Sequence, residues 1–297
     1  MKTRILALLF ILLASTASVL NAQTFSVLNS KVSQGDVSVI RIYPQFQTRA
    51  QGLSVCIFVE WGLNKNTNFV AKHYPPNQYG EVLIGIPVDT KPGKYSVYRI
   101  ECGRGTKLDS AFYVDLDVSQ KQFPETKIGH NITSVDSTRR KRESTAIQDA
   151  YAREDTWTDY TQSNYRQPLD MTSITDEFGK KRIYLNGQTR HGGVDLKATH
   201  RTPIKAVNSG VVLLVAKNFS LEGNMIILDH GSGVLSLYLH LSKMNVKQGE
   251  KVNKGEIIGL SGSTGSATGP HLHFIIKVNN TNVDPLRFID TMNQYIK

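Results

Sequence analysis

Cysteine is nearly absent from this chain: Cys56 and Cys102 are the only two in 297 residues. Neither stands beside a histidine as a nucleophile does beside its base, so the pattern gives no support to cysteine catalysis. Beyond the N-terminus no apolar run is long enough to cross a membrane, a task that takes about 20 residues as a helix. There is no internal repeat, no low-complexity tract and no βαβ rhythm. Collagen, coiled coil and extensive disorder are excluded by a composition of 40% hydrophobic and 20% charged residues, which suits a globular protein with a core. No basic stretch is interleaved with aromatics, and that argues against a nucleic-acid binder.

The two cysteines fall in or beside apparent strands, where a bridge between neighbouring strands and two buried free thiols are both compatible with the sequence. The formal charge of +10 includes Lys2 and Arg4, and 10 − 2 leaves +8 without them. Such a surface attracts any polyanion, so charge alone does not choose between nucleic acid and cell wall.

Lys2 and Arg4 precede an apolar run from Ile5 to Leu13, followed by small residues that allow cleavage after Ala22 or Ala17. This is the pattern of an export signal, expected over residues 1–22 and leaving no stable membrane span once removed. No cysteine lies near the cleavage region, which argues against a lipid anchor.

A chain of this length predicts more than one module, at about 100–200 residues each. Residues 24–118 carry the runs Val37–Ile42, Val55–Val59, Val82–Ile86 and Tyr95–Ile100, punctuated by Gly35-Asp36, Pro75-Pro76-Asn77 and Pro92-Gly93. Short β-branched and aromatic runs with turn signals between them predict a small β-sandwich. Residues 119–165 change character: Arg139-Arg-Lys-Arg142 precedes a charged stretch from Glu143 to Tyr160, with Ile147, Tyr151 and Trp157 at roughly helical spacing and Asp136 or Ser137 as a candidate cap. This is read as a linker helix packing one face on the following domain; a basic docking site is the alternative. From 166 to 290 the strands return: 210–215, 224–228, 234–238, 256–259 and 273–278, with Asp229-His-Gly-Ser-Gly233 as a tight connection. So many short strands predict a compact, antiparallel, barrel-like sheet.

Six of the eight histidines lie after residue 190. His191-Gly-Gly-Val-Asp195 sets a histidine and an aspartate four apart, and His271-Leu-His273 sets two histidines two apart, directly after the glycine-rich loop 262–269. Strand residues two or four apart share a face, so both patterns project ligand-type side chains together if their strands are neighbours. Two imidazoles and a carboxylate that leave an open position form a standard donor set for catalytic zinc. His240, in Tyr238-Leu-His240-Leu241, ends a further strand. His230 and Asp229 read as turn residues, while His73, His130 and His200 have no partner at ligand spacing.

These motifs, in order and over about a hundred residues, resemble the lysostaphin-like (LytM-type, M23) zinc endopeptidases of peptidoglycan. The likeness runs from Phe178-Gly-Lys-Lys-Arg182 through His191–Asp195, Gly223–Gly231, Tyr238–Leu241, Val246–Gly259 and Gly262–Gly265 to Gly269-Pro-His-Leu-His273 and Val283-Asp-Pro285. It implies that His191, Asp195 and His273 bind Zn²⁺ and that His240 and His271 are catalytic without being ligands. The implied activity is hydrolysis of peptide cross-links or stem peptides in peptidoglycan, the implied place is the periplasm (secretion being the alternative), and the implied bond is a D-Ala–diaminopimelate cross-link. Any regulatory protein partner is left open. The rival reading is a non-catalytic relative that binds cell wall and activates an amidase, but such relatives lack metal ligands and all five positions are filled here. Lys181 stands where arginine is usual, and Arg201 fills a turn position that often carries glycine. The first module is similar to immunoglobulin-like domains that precede some of these peptidases, chiefly through Leu83–Tyr95.

Overall fold

The computed structural model describes residues 25–42, 54–60, 66–70, 80–102, 113–129, 135–152 and 163–295. The expected export signal at 1–22, as well as His73, His130, Trp157 and Tyr160, lies outside the described residues. The described chain is mostly β and divides into two compact units. One comprises 1–32, 38–84 and 91–119; the other comprises 33–37, 85–90 and 120–297. No described helix is long and apolar enough to cross a membrane.

The first unit contains β1 (Phe25–Val27), β2 (Lys31–Ser33), β3 (Val37–Ile42), β4 (Ser54–Glu60), β5 (Asn66–Val70), β6 (Gly80–Gly85), β7 (Gly93–Cys102) and β8 (Tyr113–Ser119). They form a five-stranded sheet in the order β2-β8-β7-β4-β5 and a three-stranded sheet in the order β1-β3-β6. The period of two is visible in β8, where Leu116 and Val118 are buried while Asp115 and Asp117 are exposed. The antiparallel β4–β7 register sets Ser54 opposite Cys102 and Cys56 opposite Ile100. The cysteines therefore stand on neighbouring strands; their side chains lie outside the described residues.

The second unit begins with β9 (Glu125–Lys127) and helix α1 (Ser137–Ala152). It continues with β10 (Ile174–Asp176), β11 (Lys181–Tyr184), β12 (Gly187–Arg190), β13 (Val194–Lys197), β14 (Pro203–Lys205), β15 (Gly210–Phe219) and β16 (Gly223–Asp229). It ends with β17 (Val234–Leu239), β18 (Lys243–Met244), β19 (Lys251–Val252), β20 (Ile257–Leu260), β21 (His271–Val278), β22 (Thr281–Val283) and helix α2 (Pro285–Tyr295). The main sheet runs β10-β13-β21-β17-β16-β15-β19, with β22 added to β21. Its two ends, β10 and β19, are different strands that do not pair, so the sheet is open and the expected barrel does not close. Nor is the unit wholly antiparallel, because β9 pairs parallel to β11.

β21 alternates strictly: Leu272, Phe274, Ile276 and Val278 are buried on one face, and His271, His273, Ile275 and Lys277 line the other. Leu235, Leu237 and Leu239 of β17 stand directly opposite Lys277, Ile275 and His273, and therefore share the histidine face. Helix α1 covers that face away from the histidines, its Ile147 and Ala150 packing with Leu213, Met225, Ile227 and the three leucines. Burying Ile147 alone contributes about 1.5–3 kcal/mol. The Tyr151 ring lies over the Lys277 ammonium at 5.0 Å.

The helix begins where the candidate cap placed it, so Arg139–Arg142 form its first turns. Asp136 caps it, accepting a bond from Arg139 N at 2.6 Å. Cations at a helix N-terminus oppose the macrodipole. Here Arg139 and Arg140 are held by Glu143 and Glu222. Helix α2 was not foreseen, although Asp284-Pro285 is a start signal: Asp284 Oδ1 accepts from Leu286 N at 3.2 Å and proline occupies the first helical position.

A buried polar chain runs beneath the other face. His230 Nδ1–H donates to the Ser209 carbonyl at 2.7 Å, and Ser236 Oγ lies 2.7 Å from its Nε2 and bonds Tyr238 Oη, which accepts from Val207 N. Burial pushes the His230 imidazole down to about 4, against the Ser209 bond, which raises it. The folded protein thus keeps His230 neutral where the unfolded chain, titrating at about 6.5, is protonated. The unfolded state then binds more protons, and stability falls as pH drops from about 6.5 toward 4. We expect His230 to account for about 2 kcal/mol of stability loss between pH 7 and pH 5. Urea unfolding of wild type and His230→Gln at both pH values checks this, the variant showing the smaller loss.

Candidate metal centre

Strand pairing builds the centre. β13 and β21 are antiparallel neighbours, and their register sets Asp195 directly opposite His273 and Lys197 opposite His271. His271 and His273, two apart, therefore share the Asp195 face. His191 arrives differently from the expectation: it precedes β13 in the connection from β12, so strand alternation does not aim it. Its backbone is held instead by His191 N donating to Lys180 O and Gly179 N donating to His191 O, at 2.9 and 2.8 Å. Gly193 permits this approach, because a Cβ there would lie 2.4 Å from the Phe274 carbonyl oxygen.

The result is a tight cluster. His273 Nδ1 lies 2.6 Å from Asp195 Oδ1, His191 Nε2 lies 3.1 Å from the same oxygen, and the two imidazole nitrogens are 3.0 Å apart. His191 is 4% exposed. Among the described residues this is the group of His, Cys, Asp and Glu side chains able to hold a metal ion. His191 Nδ1–H donates to the Glu177 carbonyl at 2.8 Å, so Nε2 of the neutral ring presents its lone pair. That lone pair faces a carboxylate oxygen at 3.1 Å, an arrangement that requires a proton or a cation between them. The donor chemistry fits a divalent metal, with the Glu177 carbonyl as the outer partner that orients a ligating histidine.

Asp195 is ionised over the whole working range. Burial opposes its charge, but the His191 and His273 imidazoles beside it outweigh that and hold the carboxyl well below the usual carboxylate range. Burial lowers the His273 pKa, keeping its nitrogen free of a second proton, while Asp195 pulls the other way.

His240 and His271 flank the cluster. Their ring centroids are 4.8 Å apart, and His240 is 5.9 Å from the His273 ring. His240 follows β17 at φ +62°, a left-handed conformation that a histidine adopts only when its surroundings hold it. Its Nδ1–H donates to the Thr264 carbonyl at 2.8 Å, and His271 Nδ1–H donates to the Gly269 carbonyl at 2.8 Å. Both therefore present Nε2, and that of His271 lies 3.7 Å from Asp195 Oδ1. Burial pushes His240 down to about 4, although the Thr264 bond raises it, so its ring is neutral at pH 7. The loop 262–269 folds back tightly: Gly265, at φ +72°, leaves no room for a Cβ, which would lie 2.3 Å from Gly223 N.

Asp229 accepts from Gly231 N within its turn, His200 is exposed, and Arg201 adopts φ +67° at the turn position where glycine was expected. Sequence reasoning gave no role to Arg182 or Asp176. Arg182 Nη2 lies 2.5 Å from Asp176 Oδ2 and 3.6 Å from Asp195 Oδ2, and Asp176 Oδ2 is 3.8 Å from His191 Nδ1. The pairing of Asp176 opposite Asp195 brings them in, and nothing local in the sequence announces it.

With this geometry in view, comparison with known proteins is specific. Residues 189–285 match the profile of Peptidase family M23. Peptidoglycan DD-endopeptidase ShyA of Vibrio cholerae is 37% identical over 125 residues, covering 41% of this chain and 29% of ShyA. Lysostaphin of Staphylococcus staphylolyticus is 43% identical over 117 residues, covering 38% of this chain and 24% of lysostaphin. The crystal structure of a Pseudomonas aeruginosa protein assigned to the M23 peptidases superposes with a TM-score of 0.61 at 27% identity, covering 86% of this chain and 94% of that one. The stretch 189–285 is thus similar to the lysostaphin-like M23 peptidases. The matched stretch spans 29% and 24% of the lengths of ShyA and lysostaphin.

Gly193→Ala is expected to push β13 off β21 and separate Asp195 from His273. Affinity for a divalent metal should fall at least about tenfold, the scale on which outer-shell changes act; competition with a chromogenic chelator measures it.

Proposed function

We propose that this chain is an exported, zinc-dependent endopeptidase that hydrolyses peptide cross-links or stem peptides of bacterial peptidoglycan. The observation that carries the reading is the convergence of His191, Asp195 and His273 within hydrogen-bonding distance of one another, flanked by two further histidines whose Nδ1 atoms are tied to backbone carbonyls. His191, Asp195 and His273 hold the zinc; His240 and His271 are the catalytic pair.

Bound zinc supplies a Lewis acid for the scissile carbonyl and lowers the pKa of water toward about 7. The rest of the chemistry belongs to the side chains. A neutral imidazole with its Nδ1–H fixed on a backbone carbonyl is a base at Nε2, and both His240 and His271 are arranged in that way. One takes the proton of the attacking water at Nε2 and, as the imidazolium so formed, returns it to the leaving amine; the other donates to the developing oxyanion only in its own Nε2-protonated form. Asp195, kept anionic, balances the charge that accumulates on these rings.

ShyA is a peptidoglycan DD-endopeptidase by name. That name supports a bond between D-centres, such as the D-Ala–diaminopimelate cross-link, as the target, and with it action in the periplasm. The two sheets of the first unit support the reading of an immunoglobulin-like accessory domain over 24–118, joined through 119–165 to a peptidase domain over 166–290.

Zinc content and muropeptide release from purified peptidoglycan test the proposal together. We expect about one zinc per chain and chelator-sensitive release. His191→Ala should lose metal and activity together, whereas His271→Ala should keep the metal and lose at least about a hundredfold in rate, the scale of general acid–base catalysis. Full activity in either variant, or metal-free wild type that cleaves normally, sinks the assignment.

A further inference from the structure

Glu143 is a carboxylate in the middle of helix α1 and only 6% exposed. A buried charge is costly unless paired and hydrogen-bonded, so its partners show what the position is for. Glu143 Oε1 accepts from Arg139 Nε and from Ser220 N, each at 2.9 Å, and Oε2 accepts from the Ser220 hydroxyl. One turn of the same helix makes two more contacts to the same loop. Arg140 Nη1 bonds Glu222 Oε2 at 2.8 Å, and Arg139 Nη2 bonds the Asn218 carbonyl. Three side chains of α1 thus grip residues 218–222, the end of β15 and its connection to β16.

The other side of that connection faces the reactive histidine. Glu222 O accepts the amide of His240 at 3.0 Å, and Leu221 O accepts the amide of Ser266 at 2.9 Å. Asn224 N donates to Thr264 Oγ1 at 2.9 Å, and Thr264 O accepts the ring Nδ1–H of His240. The loop therefore supports both the strained backbone of His240 and the segment whose carbonyl aims its ring. Helix α1 makes these contacts without touching the metal cluster.

We propose that α1 is a positioning element for His240, and that Glu143 and Arg140 are the positioning residues, acting through Ser220 and Glu222. Activity then depends on a helix that precedes the residues matching the M23 profile, which begin at 189, and not only on those residues. The inference rests on the peptidase reading for its kinetic consequence; its structural half stands without it.

The test uses the full chain loaded with zinc and a soluble cross-linked muropeptide dimer as substrate. Glu143→Ala is expected to lower kcat at least about tenfold, with KM and zinc stoichiometry within about twofold of wild type. Glu143→Gln, which keeps an acceptor for Ser220, is expected to recover most of the loss. Amide hydrogen exchange is read in parallel: Glu143→Ala should speed exchange at His240 and Ser266 at least tenfold and leave core amides such as that of Ile227 unchanged. Should Glu143→Ala fail to fold, Arg140→Ala, at a half-exposed side chain, carries the same measurements. A folded variant with wild-type kcat and wild-type exchange at His240 overturns the proposal, as does activity lost only in step with zinc. If wild type neither cleaves the dimer nor binds zinc, the peptidase reading fails, and the exchange data alone decide whether α1 positions His240.

Discussion

The antiparallel pairing of β13 with β21 is the constraint on which the rest of the molecule depends. It sets Asp195 opposite His273, and because side chains alternate with a period of two, a slip of one residue would send Asp195 to the opposite face. The apolar half of the alternation enforces the register: Val194, Leu196, Leu272 and Phe274 all fill the buried face. The reactive half is therefore placed by hydrophobic burial that has no chemistry of its own. Desolvating a carboxylate and two imidazoles beside it costs free energy, and the mutual hydrogen bonds recover part of that cost. The acceptor atoms left facing one another make the site a trap for a cation.

A second regularity is how the histidines are oriented. His191, His240 and His271 each donate Nδ1–H to a backbone carbonyl, of Glu177, Thr264 and Gly269 respectively. Each bond fixes a tautomer and aims Nε2 at the cluster. His273 alone of the four turns Nδ1 inward, toward Asp195 directly opposite it on β13. The orienting carbonyls belong to turns and loops, so the precision of the site depends on segments outside the main sheet. The β15–β16 connection, gripped by α1 and supporting His240, extends the same logic one layer further out.

Much of this was legible in the sequence. Nine strands were marked by β-branched runs, though the seven-residue β8 was not, the hairpin at 229–233 by its glycines, and the grouping of His191, Asp195 and His273 by their spacing. What escaped has physical reasons. Strands of two to four residues, such as β10, β18 and β19, carry too few positions for a period to register. Sheet closure is not a local property, and the barrel expectation failed because β10 and β19 remain edges. The start of α1 was legible in its cap, Asp136, but the partners that hold the four cations of its first turns, Glu143 and the distant Glu222, were not. His191 was assigned to the right cluster, yet the turn at Gly192-Gly193, and not strand alternation, brings it there. Arg182 and Asp176 reach the site through a β10–β13 pairing that no motif records.

The central claim, that the β13–β21 register assembles one zinc site, is tested most directly by anomalous diffraction at the zinc edge from crystals of the zinc-loaded protein. The account predicts a single strong peak coordinated by His191 Nε2, His273 Nδ1 and the Asp195 carboxylate at about 2.0–2.2 Å, with His240 and His271 outside bonding distance. A peak bound to other side chains, or none between these three, would contradict it.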